Sequence, residues 1–423
     1  MPKITIKEQE RVRFNSFDAT DNVVLVPLMY LDTEDTTSRP VKKIELYERL
    51  TDFINDVGSA PKTDDEVDNT YYFICELLNQ GLKVLVKRWP LSTASGAGTV
   101  IEQFTAAVNG SAATSEAEAV DGIFTGFEDK NLYNIKFITV GALGNGYNFR
   151  STLLDLAAAR GDCIAILDLP NNYSQADILS MPSIGEKGLY GTCVWPSCYF
   201  NLSNFANSRT EADGLKSIEM PASLAYLAAF GSSIQTNADW FAVSGAIRGV
   251  IPDLVAPKFE VGERFMHVLQ GDALPEGGDS LLEVRVNPIM NAGSYGYRIW
   301  GNRTASSAST GAVGVQDFRF RDFLNIRVLL CDIKKQIYHA AMRTTFEPND
   351  DITWVNFKKL CNTLLDQMQS GRGITWYSWR KVETDKKATI KAVLSIRPIE
   401  AVEYFDITIN LTDEEVEFEE ESI

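Results

Sequence analysis

The chain has 423 residues, of which 45% are hydrophobic and 23% charged, the proportions of an ordinary folded protein, which exclude a largely disordered chain and a collagen-like fibre. At about 150 residues per domain, the length leaves room for two or three domains. Forty Lys and Arg against 57 Asp and Glu give a formal net charge of -17, which opposes sequence-independent binding to phosphate backbones, so no nucleic-acid partner is expected.

In chain order, the amino-terminal segment alternates Ile4, Ile6, Val12 and Phe14 with Lys3, Lys7, Arg11 and Arg13, an amphipathic strand with a basic face and no local partner. The apolar run Val23 to Val26 reads as a buried strand. Leu46, Leu50, Phe53, Ile54 and Val57 recur at helical spacing before Gly58. A second helix is expected around residues 71–80, stopping at Gly81 and feeding the strand Val84-Leu85-Val86, the order of an α/β layer. Residues 92–118 are rich in Ala, Gly, Ser and Thr with little periodic signal, which marks a surface loop or flexible insertion.

The α/β pattern resumes with strands at 135–140, 163–169 and 190–195, a helix over 153–159, and a helix over 222–230 opened by Pro221. After Trp300 the pattern changes. Phe323, Ile326, Leu330, Ile333 and Ile337 share one stripe of a long helix. Trp354, Phe357, Cys361, Leu364 and Met368 repeat it, between the N-cap candidates Asn349, Asp350 and Asp351 and a terminal Gly371. Strict alternation then places Ile390, Ala392, Leu394 and Ile396 on one face of a strand, and Phe405, Ile407, Ile409 and Leu411 on one face of another. The chain closes on Asp413, Glu414, Glu415, Glu417, Glu419, Glu420 and Glu421, a solvated tail or an arm. The predicted fold class is an α/β domain followed by an α+β carboxyl-terminal domain, with extended arm strands at both ends. Its divisions are an arm over 1–20, an α/β domain over 21–300, an α+β domain over 301–402, and an arm strand with acidic tail over 403–423.

Little in this pattern carries chemistry. Two histidines, His267 and His339, and no C-x-x-C pair leave a zinc site with few ligands, and Cys193 and Cys198 read as small buried hydrophobes in a reducing compartment. The amino terminus has no apolar targeting core and no stretch is long and apolar enough to span a membrane, so a soluble cytosolic protein is expected. No phosphate-loop, H-E-x-x-H or G-x-S-x-G motif is present. The glycine run Gly141 to Gly146 has the order G-x-x-G-x-G, which is not the dinucleotide fingerprint. Asp162 and Asp168 could serve a hydrolase as acid and base, but a turn residue and a strand-end cap are the plainer roles. Trp240, Phe241, Trp376, Tyr377 and Trp379 could stack on sugars or bases, yet read better as core or interface anchors. No catalytic residue, cofactor or metal is expected.

The ordered landmarks resemble the contractile tail sheath proteins of bacteriophages and related injection machines. The likeness runs from Asp121-Gly122-Ile123-Phe124 through the segment from Arg160-Gly161-Asp162 to Asp168-Leu169-Pro170, which is similar to a sheath "R-x-D-x-x-A-I-x-D-x-P" run. It continues into Val194-Trp195-Pro196, Met220-Pro221-Ala222-Ser223, and Ala238-Asp239-Trp240-Phe241. Its most specific parts are Trp300-Gly301-Asn302-Arg303-Thr304, similar to "W-G-x-R-T", and Phe346-Glu347-Pro348-Asn349-Asp350 with Trp354, similar to "F-E-P-N-D…W". The chain lacks the Pro-Gly-Val-Tyr-type opening of many phage sheaths and any long decorating domain, so it resembles a near-minimal sheath.

That resemblance implies a structural subunit that is not an enzyme. It would polymerise helically on itself around a tail tube protein and meet baseplate and tail terminator proteins, in the virion tail after assembly in the host cytoplasm, with no cofactor, nucleic acid or membrane insertion. Arm strands built on Lys3, Ile4, Ile6, Lys7, Arg11 and Arg13 and on Phe405, Ile407, Ile409 and Leu411 would join neighbouring subunits. Asp168, Trp195, Pro196, Trp300, Arg303, Phe346, Glu347 and Trp354 would be structural motif residues, with Arg303 or Arg298 paired to Glu347 between the two domains. An α/β hydrolase-like enzyme using Asp168, or a tail tube or other virion structural protein, are the alternatives from other classes.

Overall fold

The apolar run near the amino terminus lies at the heart of a large sheet. The computed structural model describes residues 21–31, 44–58, 66–91, 100–109, 122–144, 149–181, 184–201, 217–262, 285–306, 320–383 and 389–402. Both arms, with Lys3, Ile4, Ile6, Lys7, Arg11, Arg13, Phe405, Ile407, Ile409 and Leu411, fall outside the described residues.

The first layer is built from strand β1 (Val23–Leu31), β2 (Ile44–Tyr47), helix α1 (Leu50–Val57), α2 (Glu66–Asn79), β3 (Lys83–Leu91) and α3 (Val100–Asn109). Then come β4 (Phe137–Ile138), α4 (Arg150–Arg160), β5 (Ile164–Leu167), the short α5 (Gln175–Leu179) and β6 (Gly191–Trp195). β7 (Cys198–Phe200), β8 (Ile218–Met220), α6 (Ala222–Ile234), α7 (Gly245–Arg248), β9 (Leu254–Pro257), β10 (Val286–Asn291) and β11 (Tyr297–Ile299) follow. Helices α8 (Leu324–Thr344) and α9 (Asp351–Ser370) and strands β12 (Ile374–Val382) and β13 (Lys391–Pro398) complete the described chain.

The main sheet has the order β11-β10-β6-β5-β4-β1-β3-β2. Its six inner strands run parallel, and antiparallel β11 and β2 close the two edges. A parallel sheet is buried on both faces, which is why β1 is apolar at consecutive positions. Val24, Val26 and Leu28 point into one core with α2 and α6, while Val23, Leu25 and Met29 point into a second core with α3 and α4. A three-stranded antiparallel sheet, β8-β7-β9, and the β12-β13 hairpin stand apart from it.

The structure corrects two readings of the pattern. Residues 92–118 are not loop throughout: α3 buries Phe104 and Ala107, and Phe104 meets the Phe149 ring edge-on at 5.2 Å. Its apolar stripe is only three turns long and is diluted by the small polar residues on either side. Leu46 belongs to β2, paired with Leu85, and the helix starts at Leu50.

Helix α8 follows the expected stripe only in part. From Leu324 to Ile333 it is buried nearly all round, because Leu324, Val328 and Cys331 enter the first core while Leu329 and Ile333 enter a third, formed with Leu364, Leu365 and Met368 of α9 and with Ile374. Trp240 packs on this third cluster from the loop after α6. Its indole Nε1 donates to the Gly371 carbonyl at 3.1 Å. A Cβ on Gly373 would stand 2.9 Å from Trp240 Cδ1 and 3.0 Å from Leu329 Cδ1, so only glycine lets the indole lie this close. Gly373→Ala should therefore destabilise the protein by about 1–3 kcal/mol through overpacking, read as a lower denaturation midpoint. An unchanged midpoint would mean that the Trp240 ring slides aside freely.

Candidate functional site

In open α/β sheets a ligand crevice forms beyond the carboxyl ends of the parallel strands. Here those ends carry the sequence-predicted residues Asp168 after β5 and Trp195 and Pro196 at the end of β6, but the protein fills the space itself. Helix α6 begins after Pro221, which has no side chain able to cap it. Asp168, 4% exposed, supplies the missing acceptor: its Oδ1 takes the Ser223 backbone N–H at 2.8 Å, a carboxylate at a helix N-terminus. Its other side fills the place of a Gly144 Cβ, which would lie 2.3 Å from Oδ2. Gly141 to Gly144 are all buried in a single 3-10 turn, so this glycine segment packs against protein. Trp195 is 1% exposed and stacks on Phe259 at 5.7 Å, and its bond to Pro196 is cis.

Burial pushes the Asp168 carboxyl up to about 7 despite the Ser223 hydrogen bond. Glu76 is likewise pushed up to about 7 by burial, against the donation from Gln80. Asp162 lies in the bend after α4, where Arg160, fully buried, donates to both of its oxygens at 3.0 and 3.1 Å, and also to the carbonyls of Phe127 and Tyr133.

The arrangement that sequence reasoning missed lies beneath the sheet. Lys136, entering β4, is fully buried and donates to Asp239 at 2.5 Å and to Asp332 of α8 at 3.2 Å. Its partners are 103 and 196 residues away in sequence. Burial disfavours the ammonium, but the charges of Asp332 and Asp239 outweigh it and raise its pKa. Burial raises Asp332, opposed by Lys136. Lys335, one turn along α8 and 3% exposed, is lowered by burial and by Lys136, and its Nζ has no hydrogen-bond acceptor among the described residues.

The "W-G-x-R-T" residues form a hydrogen-bonded connector. Asn287 of β10 donates to Thr192 Oγ1 and the Arg303 carbonyl, both at 2.8 Å, and accepts the Arg303 N–H at 2.8 Å. The Arg303 guanidinium, 2% exposed, lies 4.6 Å from the Phe323 ring centre. Asn302 and Asn325 exchange hydrogen bonds at 2.7 and 3.1 Å, tying the connector to the start of α8. Trp300 is half-buried against the second core. Trp354 on α9 is 8% exposed, stacks on Phe357 and meets Trp379 of β12 edge-on.

The expected pair between Glu347 and Arg303 or Arg298 does not form. Arg303 is buried by the sheet, and Arg298 donates to the Ala246 and Tyr297 carbonyls. Glu347 is exposed in the turn between α8 and α9. Phe346 beside it is fully exposed at φ 72°, an uncommon backbone state for a bulky residue. Met342 and Ile352 flank it, also exposed. Among the described residues no cluster of His, Cys, Asp and Glu is placed to hold a metal ion, and no helix is long and apolar enough to cross a membrane. A shallow cavity of about 260 Å³ is lined by Gly122, Phe124, Glu128, Thr152 and Asp155, and Asp155 there pairs with Lys187. Further exposed apolar side chains are Val355 on α9, Ile247 on α7, and Trp376 and Val393 on the β12–β13 hairpin.

Comparison with known proteins shows what the fold is similar to. No family model matches the chain. A curated relative, the tail sheath protein of Vibrio phage KVP40, is 25% identical over 150 residues, which are 34% of this chain and 21% of that protein. The chain thus matches about a fifth of that relative's length. A chain of the anti-feeding prophage baseplate superposes with TM-score 0.62 at 12% identity, covering 97% of this chain and 99% of that one. A chain of the PVC sheath complex, an extracellular contractile injection system in its contracted state, gives 0.60 at 15% identity, covering 98% of each. The contracted helical sheath of the anti-feeding prophage gives 0.57 at 14% identity, with 98% and 99% covered. The chain has the fold of these sheath chains, and the resemblance read from the ordered motifs is borne out.

Two expectations follow. Asp239→Ala would leave Lys136 buried with one partner fewer and should cost about 3–5 kcal/mol, whereas Glu347→Ala, at an exposed turn, should shift unfolding of the unassembled chain by less than about 0.5 kcal/mol; equal effects on chemical denaturation would contradict both placements. Unfolded carboxyls titrate near 4. The folded chain therefore holds extra protons on Asp168 and Glu76 between about pH 4 and 7, and stability should fall as pH rises through that window. Asp168→Asn keeps the Ser223 contact and should flatten the fall by up to about 1.4 kcal/mol per pH unit. A variant whose pH profile parallels the parent's would show that Asp168 is not its source.

Proposed function

We propose that the chain is the structural subunit of a contractile sheath, which polymerises helically around an inner tube and contracts to drive that tube through a target envelope. The observation that carries this reading is the superposition of nearly the whole chain on sheath chains of contractile injection systems, together with sequence likeness to a phage tail sheath protein. A structural role also accounts for a strand-end crevice filled by Asp168 and the start of α6.

In this reading residues 21–300 form an α/β outer domain and residues 301–402 an α+β domain nearer the tube, with arms over 1–20 and 403–423. A helical polymer needs heterologous contacts that do not close, so each copy requires complementary surfaces rather than one self-matching patch. The arm strands provide them by adding to a neighbour's sheet, so that subunits rotate and slide without separating. The exposed Phe346 and Glu347 join this set of contact residues, while Trp300, Arg303 and Trp354 hold the subunit together. Tube, baseplate and terminator proteins are the remaining partners, and the virion tail is the location. Contraction draws on an array trapped in a higher-energy packing, which needs no bound nucleotide.

Negative-stain electron microscopy of the concentrated, purified protein should show long tubes of uniform width, and a monodisperse small oligomer at every concentration would contradict the proposal. Removing residues 1–17 or 403–423 should abolish tubes and leave a soluble chain with the parent's melting profile. Full-length tubes from either truncation would show that the missing arm does not join copies.

A further inference from the structure

The β12–β13 hairpin has one face covered and one bare. Tyr377, Trp379, Leu394 and Ile396 pack toward α8 and α9. The opposite face pairs Trp376 with Arg397 and Arg380 with Val393, and ends at Lys391. Trp376 is 52% and Val393 39% exposed, and the three cations are exposed and form no ion pair among the described residues. No acidic residue shares this face. Two exposed apolar side chains thus stand among three cations, on either side of the Ser378–Ser395 pair, in a region where residues 301–402 carry 16 Lys and Arg against 10 Asp and Glu although the whole chain is at -17.

The chain contains the complement. Residues 403–423 hold nine Asp and Glu and no Lys or Arg. Within them Glu414, Val416, Phe418 and Glu420 share one face of an extended segment, which presents two apolar side chains edged by carboxylates, while Glu415, Glu417 and Glu419 lie on the other. The four cations of the amino-terminal arm are a poorer match, because Glu8, Glu10 and Asp18 are interspersed with them. The ten residues between Val402 and Asp413 span up to roughly 35 Å when extended, enough to reach an adjacent molecule.

We propose that residues 413–421 of a neighbouring copy lie across the bare face of the β12–β13 hairpin, with Val416 and Phe418 against its exposed apolar side chains Trp376 and Val393, and Glu414 and Glu420 among Arg380, Lys391 and Arg397. This rests on the sheath reading and adds to it a contact on the face of the hairpin, distinct from strand addition at its edge. It also assigns the acidic run a specific site on the next subunit.

The test uses the full-length chain with a benzophenone amino acid in place of Phe418, assembled from equal amounts of isotopically light and heavy protein. Irradiation should join residue 418 to residues 374–398, with mixed light–heavy products marking contact between copies. The triple variant Arg380→Glu, Lys391→Glu, Arg397→Glu should lower that yield about tenfold. Adding Glu414→Lys and Glu420→Lys should restore it, which a merely misfolded triple variant would not allow. Crosslinks elsewhere, crosslinks confined to one copy, or a yield indifferent to the charge reversals each overturn the proposal. Electron microscopy of the same samples separates this failure from the other: tubes with crosslinks elsewhere leave the sheath reading standing, and no tubes with no contact between copies ends both.

Discussion

The fold turns on one buried ammonium. Lys136 sits at the entry of a central strand, and its two carboxylate partners come from the loop after α6 and from the middle of α8. Taking these charges out of water costs several kcal/mol per ion, and close pairing offsets it only while every member stays in place. Each of the three elements is thereby registered against the others. Apolar packing would tolerate a small slide of α8 along the sheet, because one aliphatic contact replaces another at little cost. A displaced aspartate leaves a bare charge in the core. The connector of Asn287, Asn302, Arg303 and Asn325 works in the same direction, using reciprocal hydrogen bonds to join β10 and the start of α8.

This placement changes how the two halves of the chain relate. Helix α8 lies in the part read from sequence as a separate α+β region, yet its first three turns serve two cores at once, with Leu324, Val328 and Cys331 in the main sheet's core and Leu329 and Ile333 in the cluster with α9. Trp240 reaches the same junction from the opposite direction, seated on Gly371 and Gly373. The junction has a solid core shared by both sides.

What the sequence made legible follows from range. Local periodicity located β1, β3, α2, α4, α6, α8 and α9 to within a few residues, and Asp350 serves as the N-cap of α9, its carboxylate accepting the Thr353 N–H. Short strands such as β7, β8 and β11 escaped, because three residues carry no period. The roles of Lys136, Asp239 and Asp332 were invisible for a different reason: a lysine and two aspartates separated by 103 and 196 residues look like surface charges until the fold brings them together. The misassigned partner of Glu347 has the same origin. The motif spacing indicated a shared purpose for Arg303 and Glu347 but nothing about burial, and only burial separates a connector residue from an exposed turn. The family likeness was legible because it rests on the order of short motifs, which survives where overall identity has fallen to 12–15%.

Helix α8 also has a mechanical meaning. Its 21 residues make a rod roughly 30 Å long at 1.5 Å per residue. Its first half is held by the asparagine pair, the Lys136 charges and two cores, and its far end lies in solvent beside Phe346. It is a cantilever. A sideways push on the exposed turn becomes a torque at the clamp rather than a local bend, since α9 stiffens the rod along its flank and the buried ions resist rotation at its root. Displacement of a few ångströms at the tip would therefore be felt at the central strands as a torque on Asp332 and Lys136.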